Sequence, residues 1–317
     1  MKGSIFGIAL IVVVAFGGLF VIQQRRAARA PDHRLHVVTT ILPLYVFTKN
    51  IAGNVADVSN LVPPGTELHD YAMSPSDAAA IVEADVVVKN GYGLDDFVDT
   101  VVANNSRANH TAKIVDAGSL VDSTKPGLGA SSPDGSFSVS PEKSLGTKHA
   151  NPHIWVNPAY AVHMVESIRN GLMQADPKNA SSYAVNTENY LERLLAVDAK
   201  FRVATRNFKD PIYVAEEPSM TYLASEYGLI EAAVVSGSPE ASLSPRDMSE
   251  IIKLMKENRI TVIFKNRTSA APSVASIAKD AKAKVYDFDA FESGDTGVDL
   301  YERVMEKNLE TLIRAFK

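Results

Sequence analysis

The sequence predicts an α/β protein: two (β/α) lobes with parallel sheets joined by one long linker helix, preceded by an amino-terminal membrane anchor or signal segment. Three observations carry that prediction. Short β-branched runs alternate with helical spacing over 35–115 and again over 211–316, and such alternation implies parallel pairing with right-handed crossovers. Between the two series, 179–206 keeps Tyr183, Tyr190, Leu191, Leu194, Val197 and Phe201 largely on one helical stripe. Ahead of both, Ile5 to Ile22 is an uncharged apolar run.

The chain has 317 residues, 46% hydrophobic and 22% charged, a net charge of −5 and no cysteine. That length accommodates two cores. A mildly acidic chain without a lysine/arginine run argues against nucleic acid as a partner. The absence of cysteine excludes disulfides, thiolate metal sites, cysteine nucleophiles and a lipidated cysteine.

The apolar run is short for a bilayer span and long for a signal-peptide core. Ala28-Arg29-Ala30 has the form of a cleavage site, but Pro31 follows it directly, so the segment is read as an uncleaved signal anchor. Strands are then expected at 35–40, 55–62, 84–90 and 113–115, with helices at 42–52, 75–83 and 94–103. Pro63-Pro64-Gly65 forces a loop, and Ser74-Pro75 with Asp77 reads as a capped helix start. His69 therefore lies on a short loop at the carboxyl edge of the first sheet, where ligands collect in α/β folds. Residues 118–150, rich in Ser, Gly, Pro and Lys, read as a long mobile loop, ending with His149 as a weak ligand candidate. Asn151-Pro152-His153-Ile154-Trp155-Val156-Asn157-Pro158 follows and holds the only tryptophan. Helices at 159–173 and 179–206 come next, the latter about 40 Å long.

The second series has strands at 211–215, 230–235, 260–264 and 284–288, and helices at 219–227, 244–258, 273–281 and 298–316. The expected domains are 1–30 (anchor or signal peptide), 31–175 (first lobe), 176–208 (linker helix) and 209–317 (second lobe), with a cleft between the lobes.

Four candidate ligands stand beyond strands or at loops entering helices: His69, His153, Glu217 and Asp289. Imidazole with carboxylate suits a borderline-to-hard divalent ion such as Mn2+, Fe2+ or Zn2+. Spacing alone does not bring the four together. His33, His36, His110 and His163 read as surface or packing residues.

Over 35–317 the chain resembles the metal-binding solute receptors of the zinc/manganese class of ABC importers. The matching stretches are Leu61-Val62-Pro63-Pro64-Gly65 with His69-Asp70-Tyr71 and Ser74-Pro75-Ser76-Asp77, then Ala84-Asp85-Val86, Asn90-Gly91, Asn151 to Pro158, and Tyr222-Leu223-Ala224 with Tyr227-Gly228-Leu229. The resemblance implies His69, His153, Glu217 and Asp289 as ligands. Glutamate at 217, where zinc-type members have histidine, implies a manganese-type set with Mn2+ as cargo ahead of Zn2+ or Fe2+. Glu216 adjoins Glu217, Asp287 and Glu292 flank Asp289, and Lys265-Asn266-Arg267 stands where the family has a supporting glutamate. The implied protein is a monomeric, extracytoplasmic receptor. It is tethered to the cytoplasmic membrane by its amino-terminal segment and delivers metal to the membrane subunit of an ABC permease.

Two alternatives from the same reading are a zinc-specific receptor and a membrane-anchored adhesion or structural protein that has lost metal. An enzyme is not expected: a His/carboxylate site could activate water, but no G-x-S-x-G elbow or separate general-base motif accompanies it.

Overall fold

The computed structural model describes residues 34–66, 71–105, 112–121, 151–235 and 243–317. The expected anchor, His69, His149 and nearly all of the expected loop 118–150 lie outside the described residues. Among the described residues no helix is long and apolar enough to cross a membrane. The chain divides into the units Met1–Leu35 and His36–Lys317, and the elements below make up the second, apart from the first residue of β1.

The first lobe contains β1 (Leu35–Thr39), α1 (Leu42–Ala52), β2 (Ala56–Asn60), α2 (Pro75–Glu83), β3 (Val86–Lys89), α3 (Phe97–Asn104), β4 (Lys113–Asp116) and α4 (Pro158–Ala175). Then comes α5 (Ala180–Thr205). The second lobe contains β5 (Ile212–Ala215), α6 (Thr221–Tyr227), β6 (Ile230–Val234), α7 (Pro245–Glu257), β7 (Val262–Asn266), α8 (Pro272–Ala281), β8 (Lys284–Phe288) and α9 (Leu300–Phe316).

The sheets run β2-β1-β3-β4 and β6-β5-β7-β8, with parallel pairing of β1 to β3, β3 to β4, β5 to β6, β5 to β7 and β7 to β8. The central strand β3 is apolar on both faces, as parallel sheets covered by helices require; Val86, Val87 and Val88 are all fully buried. Each sheet has a switch point, β1/β3 in one and β5/β7 in the other. The carboxyl ends of strands at such points are where open parallel sheets bind ligands. Separate cores lie beneath the sheets, one around Val38, Ile81, Val87 and Val98 and the other around Val214, Ile251, Ile263 and Ile277.

Helix α5 spans 26 residues, about 39 Å. It buries Tyr183, Thr187, Tyr190, Leu194, Val197 and Phe201, an alternating four-three spacing that makes one apolar stripe. The stripe packs on α4 and α1 from one lobe and on α9 from the other. Phe47 of α1 joins them, with ring centroids 6.2 Å from Tyr190 and 5.0 Å from Tyr301. Arg193 of α5 contacts Asn50 of α1 and lies 2.7 Å from Glu302 of α9. Asn50 Nδ2 also donates to the Val298 carbonyl at 2.8 Å. The lobes are therefore tied to each other along the helix.

Several boundaries differ from expectation, and three of them follow from contacts in the structure. Helix α3 starts at Phe97 and not at 94, because the Asp95 carboxylate turns back to accept from the Asn90 and Gly91 N–H groups. Strand β7 runs to Asn266: Arg259 is left-handed and Ile260 N–H closes helix α7 on the Met255 carbonyl, so pairing begins at Val262. Helix α9 starts at Leu300, after Val298 has given its carbonyl to Asn50. The expected loop from 118 opens with a 3-10 turn, Ala117–Leu120.

Candidate metal centre

Asn151-Pro152-His153 lies across the carboxyl end of β3, where Asn90 Nδ2 donates to the Pro152 carbonyl at 3.0 Å. His153 is only 1% exposed. Its backbone N–H donates to Asn151 Oδ1 at 3.0 Å, and its ring Nδ1 is 2.7 Å from the same oxygen. An amide oxygen only accepts, so Nδ1 carries the proton and the neutral ring presents its lone pair at Nε2. Metal-ligating imidazoles are commonly oriented through such a bond from the second ring nitrogen.

The segment from Asn151 to Pro158 grips the second lobe at several points. Asn151 Nδ2 donates to the Pro218 carbonyl at 2.6 Å, next to Glu217, while Tyr222 donates its hydroxyl to the Asn151 carbonyl at 2.8 Å. Trp155 Nε1 donates to the Ala290 carbonyl at 2.8 Å, next to Asp289. The Trp155 ring also stacks obliquely on His153, with centroids 5.2 Å apart.

Glu217 follows β5 in extended conformation. Its Oε1 accepts from Asn266 Nδ2 at 3.1 Å, and the same amide nitrogen donates to Glu292 Oε2 at 2.9 Å. Two carboxylates thus share one neutral amide at the end of β7. Glu292 and Asn266 are buried, at 6% and 5% exposure. The neighbouring Glu216 points elsewhere: it accepts from the Asn266 backbone N–H at 2.8 Å and from the Ser269 hydroxyl, closing the turn after β7.

Asp289 has both carboxylate oxygens engaged. Oδ1 accepts from the Phe291 N–H and Oδ2 from Arg267 Nε, each at 2.9 Å. Asn308 of α9 fixes its backbone by donating to its carbonyl and accepting from its N–H, also at 2.9 Å. The expected fourth ligand therefore faces a guanidinium. Lys265, which precedes Asn266, reaches Asp287 at 2.9 Å on the surface, where the Asp287 side chain is 59% exposed.

His69 lies outside the described residues, and its segment is held on both sides. Gly65, at φ +87°, donates its N–H to the Glu292 carbonyl at 2.9 Å. Tyr71 donates its hydroxyl to Asp77 at 2.7 Å, and Ser74 with Asp77 forms the expected capping box. The Ser74 hydrogen bonds, with Tyr71, hold the Asp77 carboxyl below its ordinary pKa. Among the described residues no three His, Asp or Glu side chains stand together in metal-holding geometry. The structure thus ties the segments bearing His153, Glu217 and Asp289 together, and joins the start of the His69 segment to Glu292. The residues missed by sequence reasoning are Asn151, which positions His153, and Arg267, which occupies Asp289. An amide two residues before a candidate histidine was the available signal for the first.

Comparison with known proteins shows the family and the fold. Residues 37–315 match the family described as "ZnuA: Zinc-uptake complex component A periplasmic". The zinc-binding protein AdcA of Streptococcus pyogenes is 30% identical over 296 residues, covering 89% of this chain, which spans 56% of that relative's length. The high-affinity zinc uptake system protein ZnuA of Bacillus subtilis is 28% identical over 295 residues, 92% of this chain and 90% of the relative. Among solved structures, the solute-binding protein FpvC of Pseudomonas aeruginosa in complex with Ni2+ has a TM-score of 0.74 at 27% identity, covering 90% of this chain and 97% of that one. The match runs over 37–315, most of the chain, and the family it names is a component of zinc-uptake complexes. Its two-lobed α/β chain, with a histidine-bearing segment strapped to the carboxylate-bearing turns opposite, belongs to the ZnuA family of metal solute-binding proteins.

Proposed function

We propose that the protein captures a divalent metal ion outside the cytoplasmic membrane and delivers it to the membrane subunit of an ABC importer. The observation that carries this reading is Asn151, which fixes the His153 ring and holds the turn of Glu217 with one side chain. That turns residues from two lobes into one prospective coordination sphere. His69, His153 and Glu217 are assigned as ligands. Asp289 is assigned as the fourth, coordinating through lone pairs left by Arg267 or after Arg267 moves aside.

The cargo best supported by the named relatives is Zn2+. Mn2+ or Fe2+ remains the second reading, favoured by one feature: Glu217 supplies oxygen where zinc-type relatives supply imidazole, and harder ligands suit the harder ions. The protein performs no bond chemistry. Deprotonated ligands close on the ion, and the state so selected is read by the permease. The amino-terminal apolar run is proposed to tether it to the membrane.

Calorimetric binding of Zn2+, Mn2+ and Fe2+ to the metal-stripped protein and to Glu217→His tests this. Tight binding that moves toward Zn2+ in the variant is expected. Failure of all three ions to bind tightly would favour the adhesion or structural alternative.

A further inference from the structure

The Pro218 carbonyl, beside Glu217, is a crowded acceptor. It takes the Thr221 backbone N–H, the Asn151 amide at 2.6 Å and the Thr221 hydroxyl at 3.0 Å. The same Thr221 hydroxyl is also 3.0 Å from Glu231 Oε1. A hydroxyl has one proton to give, so it donates to Pro218 or to Glu231, never to both.

Glu231 lies on β6 opposite Tyr213 of β5, at the point where the register of that pair shifts. It is 8% exposed, and Tyr213 donates its hydroxyl to Oε2 at 3.0 Å. Tyr213 from β5 and Thr221 from α6 are the groups that face the carboxyl; of the two only Tyr213 titrates, and burial together with Glu231 pushes its ionisation far up. No residue assigned above as a ligand is among these partners.

We propose that Glu231 is a proton-controlled positioning residue for the Glu217 turn, acting through the single hydroxyl proton of Thr221. When Glu231 is ionised, Thr221 donates to it, and the two lone pairs of the Pro218 carbonyl serve the Thr221 N–H and Asn151. When Glu231 is protonated, its own O–H donates to Thr221 Oγ1, and Thr221 turns its proton onto Pro218. A third donor then competes with Asn151 for two lone pairs, and the strap between the lobes loosens. The site is therefore firmer with Glu231 ionised and slacker with it protonated. Burial, the main cause, raises this carboxyl from 4.5 to about 7, with Thr221 and Tyr213 lowering it in part, so the exchange falls in the neutral range. The effect on metal rests on the reading of Glu217 as a ligand; the hydrogen-bond exchange does not.

The test separates the two. In the metal-free full chain, the Asn151 side-chain amide protons and the Glu231 carboxyl carbon are followed by NMR between about pH 6 and about pH 8. The Asn151 signal is expected to move with the Glu231 titration, to stop moving in Thr221→Val, and to move again in Thr221→Ser, which restores the hydroxyl. An Asn151 signal indifferent to Glu231, or one that moves equally in Thr221→Val, overturns the proposal. Zn2+ affinity is then measured by chelator competition. Glu231→Gln, whose amide donates to Thr221 as the protonated acid does, is expected to bind several-fold more weakly than wild type near pH 8 and equally near pH 6. If the NMR exchange occurs but the two proteins bind Zn2+ alike at both values, the relay stands and the assignment of Glu217 as a ligand fails.

Discussion

Asn151→Ala removes the group on which the proposed centre most depends. The side chain is 9% exposed and makes three hydrogen bonds: one from the His153 N–H, one from His153 Nδ1 and one to the Pro218 carbonyl. At about 1 kcal/mol net for each, stability should fall by about 2–3 kcal/mol. Metal affinity should fall separately, because the His153 ring loses the acceptor that fixes its tautomer and the Glu217 turn loses its tie across the lobes. Losing one group that orients a ligand typically costs ~10–100-fold in metal affinity, or about 1.4–2.8 kcal/mol. Asn151→Asp separates the two roles. It keeps the acceptor for His153, strengthened by charge, but sets a carboxylate against the Pro218 carbonyl where a donor stood. Its affinity near neutral pH should lie between wild type and alanine, and because the added charge makes His153 more basic, its acid loss of metal should begin at higher pH than in wild type. Chelator competition measures the affinities, and nitrogen NMR of the His153 ring reports which nitrogen holds the proton. An alanine variant binding within about twofold of wild type, or a wild-type ring protonated on Nε2 at neutral pH, would refute the reasoning.

Three further outcomes are expected. Acid should release the metal, since both imidazoles must be neutral to coordinate; affinity unchanged between about pH 7.5 and about pH 5.5 would contradict ligation by histidine. Arg267→Ala should raise metal affinity by removing a positive charge in contact with Asp289; competition titration checks it, and a lower affinity would mean that Arg267 supports the site. Glu231→Gln should alter how stability depends on pH. The folded-state carboxyl titrates at about 7, above its unfolded 4.5, so the folded chain holds the proton that the unfolded chain has already released. Wild-type stability should therefore fall as pH rises from about 4.5 to about 7, by an upper figure on the order of 3 kcal/mol. Denaturant melts should show that fall removed in the glutamine variant.

The elements were legible because each carries its own local signal. Ser74-Pro75 with Asp77 built its capping box, and the stripe on α5 ran as expected except that Leu191 is only half-buried, one position past Tyr190, and Thr187 fills the turn between Tyr183 and Tyr190. Where α3 and β7 slipped, a turn a few residues away had intervened; where α9 slipped, a contact distant in sequence had, as Asn50 takes the Val298 carbonyl. Strand order and register were less legible. Val87 and Val214 read as central-strand residues, but nothing local dictates that Val87 stands beside Val38 or Val214 beside Ile263. His153 stood out among the candidate ligands through its motif. Its tie to the opposite turn did not, because Asn151 and Pro218 are 67 residues apart. The charges after β7 were harder still. Lys265 and Asn266 are neighbours in sequence, and strand alternation turns them to opposite faces. Lys265 therefore meets Asp287 on the surface while Asn266 reaches Glu217 and Glu292 inside.

Neutral amides do the organising in this centre, and that choice has a chemical consequence. Asn151 accepts the Nδ1 proton of His153, and Asn266 donates to both Glu217 and Glu292. A carboxylate in place of Asn151 would make the imidazole more basic, so that protons competed with metal more strongly near neutrality. It would also lack the donor that holds Pro218. A carboxylate in place of Asn266 would put a third negative charge between two others, deepening the pull on any cation and slowing its release. An amide at each position gives orientation without that added charge. On the delivery role proposed above, the protein needs ligands held in place more than it needs the greatest attraction. Bonding the histidine-bearing segment to the opposite turns through uncharged groups, Asn151 to the Pro218 carbonyl and Trp155 to the Ala290 carbonyl, suits capture that stays reversible.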